Sequence, residues 1–265
     1  MKLKFIPLCL LAAGMIACTS NNKNNTEKFV ESSTSWDKYF VGNILFNDEA
    51  PSTQGSKIYN SIITNPQEYI AEQARTVLST LYFSPEDSIV PVDTLRYYLR
   101  DVDGISAKDG GNGDVSIFYS TRHIEKSFAQ GDTTKLYFET RGVLLHELTH
   151  AYQLEPQGIG TYGTNRVFWA FIEGMADAVR IANGGFTPDA RPKGGNYMDG
   201  YRTAGYFFVW LRDNKDKDFL RKFNRSVLEV VPWSFDGGVK YALGGDANID
   251  DLWHEYQVAV GDIKE

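Results

Sequence analysis

The sequence predicts an α+β fold, with strand-like segments gathered in its first half and helices filling its second. Three observations carry this prediction. Short runs rich in β-branched and aromatic residues end before residue 140, all but one of the strongly periodic apolar segments come after it, and neither an internal repeat nor a Pro-rich linker divides the chain. The 265 residues are 42% apolar and 23% charged, the balance of an ordinary globular chain that buries a core. Lys and Arg total 27 against 34 Asp and Glu, for a net charge of −7, which argues against phosphate-backbone binding and makes nucleic acid an unexpected partner.

Taken in order, the chain opens with an export leader. Lys2 and Lys4 precede an apolar run from Phe5 to Ile16, too short for a permanent span, so residues 1–17 read as a signal peptide. Met15-Ile16-Ala17-Cys18 resembles a bacterial lipoprotein processing site, with cleavage after Ala17 leaving Cys18 to be lipidated. Residues 18–35 then form the lipidated Cys and a polar tether, and residues 36–265 the folded domain. This places the protein outside the cytoplasm, held to a bacterial membrane by its lipid anchor only, and facing either the periplasm or the cell surface. Both cysteines, Cys9 and Cys18, lie in this leader, so the mature chain has no internal disulfide and depends on its core.

Asn65-Pro66-Gln67-Glu68 supplies an N-cap, a proline at the first helical position and a capping-box glutamate, and apolar residues follow at helical spacing to Leu81. Val92–Arg100 and Val115–Ser120 read as strands bounded by Asp and Gly, and Lys135–Phe138 as a third. Val115–Ser120 fits either an internal strand or an edge to which an extended peptide adds. Helices are expected over Gly142–Leu154, Phe168–Ala182, Met198–Arg212, Phe219–Val230 and Ile249–Val260, the second of them stopped by Asn183-Gly184-Gly185. The glycine-rich stretch Gly184–Gly200 lacks a Gly-Lys-Ser/Thr ending, so it reads as a mobile wall of a cleft and not as a phosphate loop.

The chemistry sits at His146-Glu147-Leu148-Thr149-His150. Two imidazoles four residues apart on a helix can grip one Zn²⁺, and the carboxylate beside the first can take a proton from an attacking water. At ~100° per residue, with His146 at zero, His150 falls at ~40° and Gln153 at ~−20°, while Leu144, Leu145, Leu148, Ala151 and Tyr152 occupy ~140° to ~260°. The histidines therefore face away from the core stripe. A catalytic zinc needs a third protein ligand. Pro156 stands where a third histidine of the metzincin type would be, but Glu173 lies on the next predicted helix with Asp177 ~40° around from it, both opposite that helix's apolar arc. Glu173 is thus the expected ligand, with Glu155 as its competitor, and Asp177 is placed to accept the N–H of a ligand imidazole.

These residues resemble the gluzincin metallopeptidases, in which HExxH is followed by a helix carrying Glu-x-x-x-Asp. They are more closely similar to the basic secretory protein family of peptidases, found in plants and bacteria. The likeness covers Ala71–Tyr82, Asp101–Ile124, Gly142–Gln153, Phe171–Ala182, Asp199–Leu211 and Leu252–Gln257 in one order. It implies a zincin-like fold, in which a small N-terminal sheet and an active-site helix precede a mainly helical C-terminal lobe. It also implies one Zn²⁺ per chain on His146, His150 and Glu173, with Glu147 as general base. This chain departs in being acidic and in its longer insert from Glu155 to Val167.

The expected activity is hydrolysis of peptide or protein substrates. Without a Gly-x-Met-x-Asn element before HExxH, an endopeptidase is favoured over an aminopeptidase. Tyr201 is the expected second donor to the oxyanion, with Tyr206 and His123 as alternates. Two other readings stay open: a surface-binding lipoprotein that keeps the fold without turnover, and a zinc amidase acting on cell-wall or glycopeptide bonds. The sequence sets no oligomeric state.

Overall fold

The computed structural model describes residues 36–128 and 131–264, so the expectations for the leader, Cys18 and the tether lie outside them. Strand β1 (Asn43–Asp48) is followed by helices α1 (Gln54–Ile62) and α2 (Pro66–Leu81), which cross back to β2 (Val92–Arg100). A hairpin then joins β3 (Ser106–Gly111) to β4 (Gly113–Ser120). From there the chain is helical: α3 (Thr121–Ser127), α4 (Thr133–Tyr152), α5 (Arg166–Ala182), α6 (Tyr201–Asn214), α7 (Phe219–Glu229), α8 (Phe235–Leu243) and α9 (Ile249–Ala259). This is an α+β arrangement. No helix among the described residues is long and apolar enough to cross a membrane.

The sheet order is β1-β2-β4-β3, with the first three strands parallel and β3 antiparallel to β4. Strand β4 is therefore internal, which settles the alternative left by its sequence, and the edge belongs to β3. Alternation buries Leu95, Tyr97 and Leu99 of β2 against Val115, Ile117 and Tyr119 of β4, and helices α2 and α4 pack nearby. Strand β3 reads Ser-Ala-Lys-Asp-Gly-Gly, with no β-branched or aromatic residue, so it carries no strand propensity of its own. Its pairing comes from the Asn112-Gly113 turn, where both residues have positive φ (50° and 86°), the backbone a two-residue hairpin loop demands.

Lys135–Phe138 is not a strand. It lies in the first turns of α4, which starts at Thr133 because the Asp132 side chain accepts the Lys135 N–H at 3.0 Å, and Leu136 and Thr140 continue a helical burial pattern into the core. Gly142 is interior to this helix. A Cβ there would meet the Arg180 guanidinium at 2.6 Å, so the glycine marks a close approach. Helix α2 begins as its sequence requires, with Asn65 accepting the Glu68 N–H, although the Glu68 carboxylate takes the Asn65 side-chain amide (2.6 Å) in place of the backbone N–H.

The second core is aromatic. Phe171 of α5 packs on Trp233 (4.6 Å between ring centroids) and Phe223 (5.3 Å), which in turn meets Phe208, Phe219 and Phe235. Helix α6 reaches α5 across Gly174, where an added Cβ would stand 2.7 Å from both the Ala204 methyl and the Phe208 ring. Residues 170–180 of α5 are all buried as a result.

Candidate metal centre

Helices α4 and α5 run antiparallel, as their side-chain pairs require: Glu139 with Arg180, His146 with Asp177, and both histidines with Glu173. The four-residue spacing on each helix then stacks two layers of site residues over one another. Ligand atoms of His146, His150 and Glu173 lie within 4.8 Å of one another. Glu173 Oε2 is 3.3 Å from His146 Nε2 and 3.7 Å from His150 Nε2, and the two Nε2 atoms are 3.0 Å apart. Glu173 Oε2 is buried and has no hydrogen-bond partner among the described residues. An anionic oxygen orphaned at the focus of two imidazole nitrogens is the donor set a divalent cation completes, and the N,N,O composition suits zinc. Glu155 lines the cleft but stands outside this cluster.

The surrounding groups orient the three donors. Asp177 Oδ1 sits 2.7 Å from His146 Nδ1, so the Nδ1 proton is held and Nε2 keeps its lone pair. The Gln153 amide lies 2.7 Å from His150 Nδ1, and its Oε1 is a buried atom with no partner among the described residues. Turning the amide end for end brings that oxygen to the Nδ1–H and likewise leaves His150 Nε2 free to ligate. The Tyr162 hydroxyl donates to Glu173 Oε1 at 2.6 Å, which leaves Oε2 to face the imidazoles. Tyr162 escaped sequence reasoning because it stands in the Glu155–Val167 insert, where no periodicity points to a partner.

Burial opposes charge throughout the cluster. On His146 the Asp177 and Glu173 carboxylates outweigh that burial and raise its pKa to about 10, whereas burial and the charge on His146 push His150 down to about 3. Burial also works against Glu173, but the imidazoles and Tyr162 overcome it and hold the carboxyl below its ordinary range. Glu147, 7% exposed, points to the β3 side of α4; burial pushes its carboxyl up, moderated by His146, by Ser106 and by the Lys108 backbone.

All of these groups line a cleft of about 860 Å³ between α4, the β3 edge and the wall that follows α5. Tyr201, 46% exposed, lines it too: its ring stacks parallel to His146 (6.1 Å, 14°) and meets Trp169 edge-on (5.4 Å). It is the first residue of α6 and has φ +41°, a left-handed conformation rare for a non-glycine residue. Tyr206 instead donates its hydroxyl to the Thr187 carbonyl, and His123 bonds Glu139 at 3.0 Å away from the cleft lining, so neither alternate reaches the centre. The stretch from Gly184 to Gly200 contributes Phe186 to the cleft and contains two short 3₁₀ turns, Pro188–Ala190 and Tyr197–Asp199. Asp262 fastens it, accepting two bonds from Arg191 (2.7 and 2.8 Å) and one from the Gly194 N–H.

An α+β fold whose HExxH helix meets a Glu-x-x-x-Asp helix over a cleft defines a protein of the peptidase class with a site able to hold a metal ion. The match is more particular than that. Residues 43–256 fit the family model described as BSP, peptidase of plants and bacteria, and the chain belongs to that family. It is the family its sequence blocks resemble. No curated protein and no solved structure matches the chain.

Proposed function

We propose that this chain is a zinc-dependent endopeptidase. The observation that carries the reading is the convergence of His146 Nε2, His150 Nε2 and the orphaned Glu173 Oε2 on one point of a cleft floor, one helical position from the buried carboxylate of Glu147. His146, His150 and Glu173 hold one Zn²⁺, which when bound supplies Lewis-acid chemistry, acidifying water and polarising a carbonyl. Glu147 takes the proton of the attacking water and delivers it to the leaving amine. Its partly desolvated carboxyl suits both halves of that transfer. Asp177 and Gln153 fix the imidazole orientations, and Tyr201 offers a hydroxyl from the opposite wall toward the oxyanion. The free edge of β3, with its Lys108 and Gly110 backbone in the cleft, aligns an extended peptide by strand addition. Export and lipid attachment at Cys18 belong to the same proposal and are read from the mass of the mature N-terminus.

The decisive experiment incubates protein substrates with the zinc-loaded chain, with and without a chelator. Chelator-sensitive cleavage at internal bonds is expected, restored by added zinc. Metal bound at one per chain with no cleavage across a broad protein panel would sink the peptidase reading and favour an amidase or a binding protein.

A further inference from the structure

The cleft carries different charges at its two ends. Beyond the C-terminus of α4 it is bordered by Glu155, while toward the N-terminal half of α4 it is bordered by Arg180 and Arg202, both near the Phe186 ring. The Arg180 guanidinium is buried, stacked 3.7 Å from the Phe186 ring centroid, and held by the Gly185 carbonyl at Nε (3.0 Å) and by Glu139 at Nη2 (2.8 Å). Among the described residues no hydrogen bond is made by its Nη1. Arg202 lies 5.7 Å from the same ring, donates only to the Ala190 carbonyl (3.1 Å), and pairs with no carboxylate among the described residues. Glu139 is shared with His123, so it does not offset both guanidinium groups. The result is a fixed planar donor and a second, carboxylate-free guanidinium near one aromatic ring, a setting that recognises a carboxylate whose stem is apolar.

We propose that this end of the cleft is a carboxylate subsite for the peptide segment that follows the scissile bond, an inference that rests on the peptidase reading. Strand β3 sets the direction. Ser106 is paired with Tyr119, whose hydroxyl meets Thr140 next to Glu139, so β3 starts at the arginine end of α4 and runs away from it. A peptide added antiparallel to β3 therefore runs toward Ser106, and its downstream half ends beside Phe186. Arg202 and Nη1 of Arg180 take the carboxylate, and Phe186 supports the stem. The carboxylate comes either from an acidic side chain or from the free C-terminus of the substrate.

The test measures binding, by fluorescence anisotropy, of three peptides labelled at their N-termini to the full, zinc-loaded Glu147→Gln protein. One bears a downstream Glu and an amidated end, one a Gln in its place with a free end, and one Gln with an amidated end. A carboxylate peptide is expected to bind about tenfold tighter than the neutral one, and the stronger of the two identifies the source. Adding Arg202→Glu, or Arg202→Gln where the first variant melts early, is expected to abolish that preference. Equal binding of all three peptides, or a preference that survives both Arg202 changes, overturns the proposal. Cleavage of the same peptides by the unaltered protein is scored separately: binding preference without cleavage counts against the peptidase reading and leaves the subsite standing.

Discussion

Helices α4 and α5 carry the same i, i+4 arrangement and meet over the same cluster, yet they are held by the molecule in different ways. The imidazoles of His146 and His150 on α4 keep 14% side-chain exposure beneath an open cleft, whereas Glu173 and Asp177 of α5 keep 5%. Helix α4 leans on a polar, glycine-bearing edge strand; α5 is enclosed by α4, α6 and α7 and rests on stacked aromatic rings. Under the proposed function, the difference gives one helix the reactive groups facing the cleft, and the other a fixed reference point to which they are aligned.

Four measurements break or sharpen that comparison. Glu147→Gln, on α4, is expected to lower turnover about a thousandfold while zinc content and melting stay unchanged, since the amide keeps the shape and loses the base; activity within a few-fold of the parent would remove Glu147 from the reaction. Phe171→Ala, on α5, is expected to cost about 3–5 kcal/mol by denaturant titration, from a ring at 0% exposure, and to weaken zinc retention in a chelator competition as well. If stability falls and metal affinity does not, α5 is not the reference the comparison makes it. Asp177→Asn is expected to weaken zinc about 10- to 100-fold with little effect on folding, because it loosens only the His146 orientation.

The smallest effect concerns the wall beyond α5. Arg191 holds the Asp262 carboxyl at about 2, below its ordinary range, with burial opposing. A depressed acid contributes stability above its unfolded pKa near 3.9 and loses it as pH falls through the folded value. Asp262→Asn is therefore expected to cost on the order of 1 kcal/mol at neutral pH, a deficit that closes between about pH 4 and pH 2. Thermal melts of both proteins across that range check it, and a deficit that persists at pH 2 speaks against the ion pair.

Helices α2, α5, α7 and α9 were legible in the sequence because caps and apolar spacing agree along them, and the meeting of His146, His150 and Glu173 followed because both site helices place their polar residues opposite a leucine- or phenylalanine-rich arc. What stayed illegible has physical reasons. Helix α3 is seven residues long, too short for a period to repeat, and α8 carries Gly237-Gly238 in its first turn. The start of α4 was obscured by a β-like Lys-Leu-Tyr-Phe run whose helical state is set by the Asp132 cap and by burial of Leu136. Strand β3 exists through its partner, although the Asn112-Gly113 pair was an available hairpin signal. Tyr162 reaches Glu173 from a loop, where contact depends on the whole fold.

Gly174 has a bearing on more than packing. Tyr201 opens the helix that rests on this bare stretch of backbone, so the separation of the two cleft walls is set by a missing methyl group directly after the glutamate donor. A side chain there would act as a wedge, lifting the tyrosine from the imidazole it covers and widening the groove without altering any charge. The width of the mouth is thus written in the smallest residue of the centre.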